Sequence, residues 1–209
     1  MKWALALLAV LALWQLARYG AFAPTAAQTR PVSPAPIITL FGASNFSRPP
    51  LADEIRALTG CEVRVIAKAG ANSDWALTRP DAFDAGGLVI IAFTGNDAAL
   101  HRGVPLSRSV ANHRELLARA QRGGASVAHV IGGPRFHGPR GWVRPGARAY
   151  AAAVAALPGG VIDEGRHLPE GNAMPDGLHT SPEAARHIAR AYAEAIRPCC
   201  PHPRSGLCP

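Results

Sequence analysis

The chain has 209 residues, enough for one domain with a sizeable core once any targeting segment is set aside. Its formal charge is +8, yet nearly all the positive charge is Arg scattered along the chain, with no dense basic run and no RNA- or DNA-binding signature. Composition therefore argues against a nucleic-acid partner, and the plentiful Gly and Pro fit a loop-rich α/β fold.

Residues 1–27 read as an export segment, either a signal peptide or an N-terminal membrane anchor. Lys2 is followed by an apolar run from Trp3 to Leu13 that fades through Leu16 and Ala17. This is a positive n-region and a signal-length h-region, shorter than the ~20 residues a membrane span needs. Thr25-Ala26-Ala27 offers small residues for cleavage before Gln28, while Arg18 and Tyr19 would suit the far interface of an uncleaved anchor. Residues 28–36, with three prolines between Thr29 and Pro36, read as a linker.

The domain is expected over residues 37–197. Ile37 to Phe41 is a short apolar run that ends at Gly42, as a buried parallel strand does, and delivers Ser44 into a turn. Ser47 is expected to cap a helix starting near Pro49-Pro50, with Leu51, Ile55 and Leu58 on one face and Thr59-Gly60 as its stop. A second strand spans Cys61 to Ala67 and ends near Gly70, before a short helix around Ser73 to Leu77. Leu88 to Phe93 is the most buried-looking strand, and it runs into Thr94-Gly95-Asn96-Asp97. A helix from about Ser107 to Arg122 should turn Val110, Leu117 and Ala120 inward.

Ser126 to Ile131 is a fourth strand, opening into a long loop from Gly132 to Pro145. Tyr150, Val154 and Leu157 mark a further helix, and Val161-Ile162-Asp163 a brief fifth strand. The last helix runs from Pro182 to about Arg197, with Ala185, Ile188, Tyr192 and Ile196 at helical spacing and Thr180 or Ser181 as its cap. Strands that alternate with helices imply a parallel sheet of about five strands with helices on both faces. Residues 198–209 form a Cys/Pro-rich tail. Cys61, Cys199, Cys200 and Cys208 allow three disulfide connectivities, which sequence does not choose between. A metal set of Cys199, Cys200, His202 and Cys208 matches no zinc spacing, so disulfides are the better reading and no metal is expected.

The strand ends carry the chemistry. In a parallel sheet Ser44, Gly70 and Asn96 lie on one edge, although far apart in sequence. His179 sits in the turn entering the last helix, with Asp176 three residues before it. A serine hydroxyl needs a base to take its proton, for which His179 is suited. The imidazole in turn needs a carboxylate, such as Asp176, to fix its tautomer and stabilise its charge. The N–H groups of Ser44 and Gly70 and the side-chain amide of Asn96 suit an oxyanion hole. Asp163 is a weaker alternative acid and reads as a loop cap; Asp97 reads as a structural acceptor, and the remaining histidines as surface or packing residues.

These blocks, Gly42-Ala43-Ser44, Gly70, Gly95-Asn96-Asp97 and Asp176-Gly177-Leu178-His179, resemble in order those of the SGNH hydrolases, the GDSL-like esterases and lipases. The resemblance spans Ile37 to about Arg197. It implies a flavodoxin-like three-layer α/β/α sandwich and ester hydrolysis through an acyl-enzyme, without metal or cofactor. The roles given to Ser44, Gly70, Asn96, Asp176 and His179 are those the family assigns to matching positions. One departure is Ala43, where the family usually has Asp.

Beyond strand four, Arg135, His137, Arg140, Trp142, Arg144 and Arg148 crowd one stretch. It is either a solvated Arg-rich loop or a wall of the substrate pocket, with Trp142 stacking on a sugar or acyl group and arginines facing an anionic group. Asn72 is a further candidate for the pocket wall, with Arg135, His137 and Trp142. The sequence thus reads as an exported serine esterase, periplasmic or secreted, acting on a short-chain O-acyl ester such as an O-acetylated carbohydrate. An O-acyltransferase of polysaccharide modification and a non-catalytic envelope binding module are the alternatives.

Overall fold

A computed structural model describes residues 2–26, 28–32, 35–131, 136–169 and 174–196. Five strands form one sheet: β1 (Ile37–Gly42), β2 (Glu62–Ala67), β3 (Leu88–Ala92), β4 (Ser126–Val130) and β5 (Gly160–Ile162), in the order 2-1-3-4-5. Every neighbouring pair is parallel. This order is the flavodoxin-like one, whose direction of winding reverses between β1 and β3 and opens a crevice at their carboxyl ends. The expected α/β/α sandwich is therefore present, and its crevice falls where Ser44 and Asn96 emerge.

Side-chain alternation along the strands sorts the core into two layers. On one face Ile38, Leu40, Leu88, Ile90 and Val130 pack against α3 (Leu51–Thr59) and α9 (Pro182–Ile196), through Ile55, Ile188 and Tyr192. On the other, Phe41, Val89, Ile91 and Phe93 meet Leu116 and Ala120 of α6 (Leu106–Arg122), and Val161 meets Ala151 and Ala155 of α8 (Ala147–Ala155). Each Val, Leu, Ile or Phe side chain among them contributes about 1.5–3 kcal/mol on full burial.

Several local expectations change. Ser47 does not cap α3, which begins at Pro50 without a side-chain cap; Ser47 Oγ donates instead to the Ser44 carbonyl, inside the four-residue helix α2 (Ser44–Ser47). Leu58 is 47% exposed, because α3 turns only Leu51, Ile55 and Thr59 inward. Helix α6 buries Ser109, Asn112, His113, Leu116 and Ala120; of the three residues expected inward, Ala120 is buried, Leu117 packs partly buried against the core, and Val110 is only half-buried. The helix is turned so that Ser109 Oγ donates to the buried Asp97 carboxylate, whose second oxygen would otherwise lack this partner, and His113 lies nearby. Ser181 is the cap of α9, its Oγ accepting from the Ala184 N–H at 3.1 Å. The long loop before Pro145 contains a short helix, α7 (Gly138–Trp142).

The N-terminal helix α1 (Lys2–Arg18) buries none of its residues, and no described helix is long and apolar enough to cross a membrane. The chain after it docks. Tyr19 is buried with Ala98, Ala147 and Tyr150, and its hydroxyl donates to the Gly103 carbonyl at 3.4 Å. Gly146 makes room for it: a Cβ there would lie 1.6 Å from the Tyr19 carbonyl oxygen, so a side chain at 146 excludes this seat. The stretch expected to be a linker is also engaged, since Arg30 pairs antiparallel with Val161 and Val32 is buried. Cys61 is disulfide-bonded; Cys199, Cys200 and Cys208 lie outside the described residues, as does residue 202.

Candidate active site

Ser44 reaches the crevice because β1 ends in a glycine that nothing larger could replace. A Cβ at Gly42 would lie 2.7 Å from the Phe46 ring and 3.1 Å from the Ala92 carbonyl oxygen. The chain turns there directly into α2, and Ser44 is its first residue.

From the far end of the chain, the turn before α9 brings His179 to the same point. Ser44 Oγ and His179 Nε2 are 2.9 Å apart, and His179 Nδ1 is 2.6 Å from Asp176 Oδ2. The tautomer with its proton on Nδ1 satisfies both contacts: the imidazole donates to Asp176 and accepts from the serine hydroxyl. The other carboxylate oxygen, Oδ1, accepts from the backbone N–H of Leu178 at 3.0 Å and of His179 at 2.7 Å. Burial acts to raise the Asp176 carboxyl, but these N–H groups and the His179 ring outweigh it and hold the carboxyl well below the usual range. The acid is thus ionised and aimed.

Gly70 and Asn96 meet through the intervening loop. Asn96 is buried, and its Nδ2 donates to the Ala71 carbonyl at 2.8 Å, which uses one of its two amide hydrogens. Gly70 takes a φ of +75° in a turn where the Ala71 N–H donates to the Lys68 carbonyl. Among the described residues no acceptor takes the N–H of Ser44 or of Gly70. Asp97 braces this edge from beneath. It is 0% exposed and accepts from the Ser73 N–H at 2.7 Å and from Ser109 Oγ at 2.5 Å, tying the Gly70 loop to α6. Burial pushes its carboxyl up, against the opposing pull of His113 and of these hydrogen bonds.

A pocket of about 60 Å³ opens beside Ser44. Ala43, Ala92, Val130, Phe136, Leu168 and Leu178 give it apolar walls, with Asn96 at one side and Glu164 among its lining residues. The volume is less than half of the ~150 Å³ apolar cavity that holds a benzene ring, so it fits a short group. Glu164 is buried, its carboxyl pushed up by that burial, and it accepts from the Tyr192 hydroxyl at 2.6 Å.

No family model and no curated protein matches the sequence. Solved structures do match the fold. A GDSL-like lipase from Bacteroides thetaiotaomicron superposes with a TM-score of 0.63 at 16% identity, over 77% of this chain and 87% of its own. A carbohydrate acetylesterase family member from Sinorhizobium meliloti gives 0.64 at 15% identity, over 77% and 97%. The psychrotrophic esterase EstA from a Pseudoalteromonas species gives 0.58 at 19% identity, over 78% and 97%. The chain has the SGNH-hydrolase fold.

Within this SGNH fold the four sequence blocks meet at one edge, but the expected pocket wall does not form as predicted. Asn72 caps the short helix α4 (Ser73–Ala76), accepting from the Trp75 N–H at 3.2 Å and donating to the Arg102 carbonyl at 3.1 Å, so both ends of its amide are occupied away from the pocket. Trp142 is 79% exposed at the end of α7 and does not line the pocket. His137 is exposed, precedes α7 and donates its backbone N–H to the Gly177 carbonyl. Position 135, the remaining expected wall residue, is outside the described residues. Asp163 caps a 3-10 turn at Glu164–Arg166, its carboxylate accepting from the Gly165 N–H at 2.9 Å.

Five lining residues that sequence reasoning missed, Phe136, Glu164, Leu168, Met174 and Leu178, come from loops and a short 3-10 turn whose sequence carries no periodic signal. Ala43 also lines the pocket, so the usual SGNH Asp is replaced by a methyl group on the pocket wall.

Proposed function

We propose that this chain is an exported serine esterase that removes a short O-acyl group through a Ser44–His179–Asp176 triad. The single observation that carries the reading is the continuous hydrogen-bond chain from Ser44 Oγ through the imidazole to an ionised carboxylate. In the reaction Ser44 Oγ attacks the ester carbonyl while its proton passes to His179 Nε2, and Asp176 stabilises the imidazolium. Negative charge forms on the carbonyl oxygen, where the N–H groups of Ser44 and Gly70 and the free amide hydrogen of Asn96 receive it. The tetrahedral intermediate collapses as His179 returns the proton to the departing alcohol oxygen, leaving Ser44 acylated. Water then repeats the sequence with His179 as base and releases the acid.

The small apolar pocket supports an acetyl or similarly short acyl group over a long chain. An O-acetylated carbohydrate is the substrate class this reading favours, since carbohydrate acetylesterases are among the proteins that share the fold. The test is turnover of p-nitrophenyl acetate against butyrate, together with labelling by an organophosphonate. The expected result is acetate preferred and Ser44 labelled. Neither hydrolysis nor labelling would sink the esterase and leave a non-catalytic binding module. Labelling without hydrolysis, with acyl transfer to an added sugar, would make the protein a transferase instead.

The reading places the domain outside the cytoplasm. The disulfide at Cys61 supports an oxidising compartment. Tyr19 and Gly20, seated against Gly103, Leu106 and Ala149, support retention of the apolar N-terminal helix, because cleavage before Gln28 would empty that seat. Intact mass of the purified native protein should therefore include residues 1–27. A mature form beginning at Gln28 would reject retention.

A further inference from the structure

The edge of the site carries cations that the ester chemistry leaves unused. Arg102 lies against the Gly70 turn, where a Cβ on Gly70 would be 3.4 Å from its Nη1. Asn72 holds the Arg102 backbone there by donating to its carbonyl oxygen. On the next loop Arg144 donates from Nε to the Gly95 carbonyl at 2.7 Å and from Nη1 to the Arg140 carbonyl at 2.7 Å, with its guanidinium 5.2 Å above the Phe136 ring. One arginine thus abuts each of the two loops that supply Gly70 and Asn96; Arg140 lends its carbonyl to Arg144, His101 precedes Arg102, and the four influence one another electrostatically.

Among the described residues the cluster has no counter-charge. Arg144 is 3% exposed, yet its Nη2 has no hydrogen-bond partner. Among the described residues no carboxylate pairs with Arg102, Arg140 or Arg144; several exposed arginines, such as Arg48 and Arg190, also lack one, so it is the burial of Arg144 that sets this cluster apart. The cations also work against one another. Burial, then Arg140 and Arg102, bring the Arg144 guanidinium down to about 10, and burial with Arg102, Arg144 and Arg140 lowers the His101 imidazole. An unpaired buried guanidinium is costly, and costs of this kind persist where function needs them.

We propose that the exposed His101, Arg102 and Arg140, with the buried Arg144 behind them adding positive potential, bind an anionic oxygen group, a carboxylate or a phosphate, on the alcohol side of the substrate. This rests on the ester reading above. The alcohol side follows from the pocket beside Ser44: among its described lining residues there is no cation and one carboxyl, Glu164, which suits the uncharged acyl group. Guanidinium groups bind both anions in a planar, two-point fashion.

The experiment compares kcat/KM of the full chain for phenyl acetate, 3-carboxyphenyl acetate and 3-phosphonooxyphenyl acetate, at low and high salt. Alongside it, calorimetry follows binding of 3-hydroxybenzoate and 3-hydroxyphenyl phosphate, which need no turnover. The comparison variant is Arg102→Gln/Arg140→Gln, two exposed positions whose change spares the core. A charged ester should be preferred over phenyl acetate by about tenfold or more, and the larger preference identifies the anion. That preference should shrink in the double variant and at high salt. Equal turnover of all three esters without saturable binding, or a preference untouched by the double substitution, overturns the proposal. If no ester is cleaved, the esterase reading fails, and the anion site then stands or falls on binding of the hydroxy compounds and its loss in the double variant.

Discussion

Ser44→Ala and His179→Ala should each lower kcat for p-nitrophenyl acetate by at least about 10⁴-fold, with the unfolding transition unchanged. Ser44 is at the first position of α2 with its hydroxyl in the crevice, and removing one oxygen there disturbs no core contact. His179 lies in a turn whose backbone is held by Asp176 Oδ1, so the chain path survives loss of the imidazole. The double variant should be no slower than the slower single one, because nucleophile and base act as a unit and the second substitution removes nothing that remains. A Ser44→Ala protein within tenfold of the parent would rule out Ser44 as the nucleophile.

Asp176→Asn should cost about 10⁴-fold in kcat while leaving KM within a few-fold. An asparagine keeps Oδ1 and hence the bonds from Leu178 and His179, so the turn stays in place. Its amide, however, donates where Asp176 Oδ2 accepted. The imidazole must then present Nδ1 as an acceptor and carry its proton on Nε2, facing Ser44, where it can no longer take the hydroxyl proton. A pH profile checks the charge argument independently. The native carboxyl is held below its ordinary value, so Asp176 stays ionised as pH falls and the acid limb of log(kcat/KM) should follow one ionisation, that of the base, with unit slope. The same depression contributes stability that is present above the unfolded-state value of about 4 and lost as pH falls through the native one. A second ionisation in the acid limb near pH 4 would show that Asp176 is not held in this way.

The fold was legible because its signals are local. Short apolar runs such as Leu88 to Ala92, punctuated by Gly and Pro and alternating with segments of helical spacing, admit few arrangements other than a parallel sheet between helices. Helix faces were less legible. In α6 the pattern of apolar residues pointed to Val110, Leu117 and Ala120; Ala120 is buried and Leu117 partly so, but the helix also turns Ser109, Asn112 and His113 inward, where Ser109 meets the buried Asp97 carboxylate. The requirement to satisfy a buried polar group outweighs a modest difference in apolar area, and sequence periodicity does not contain it.

Sequence by itself determined the parallel sheet, the set of chemical groups and their order along the chain, since a Gly-bounded strand end and an Asp-x-x-His turn are built from neighbours. Tertiary structure decided everything that depends on loops meeting across the crevice. It brought Ser44 within 2.9 Å of His179, 135 positions away, seated Tyr19 in the gap left by Gly146, and lined the pocket beside Ser44 with Phe136, Glu164 and Met174. It also sent Trp142 into solvent and Arg144 into the interior, although the sequence placed both in one surface-like stretch. Irregular segments have no repeating hydrogen-bond ladder to impose a side-chain period, so their contacts are set by the surfaces against which they pack.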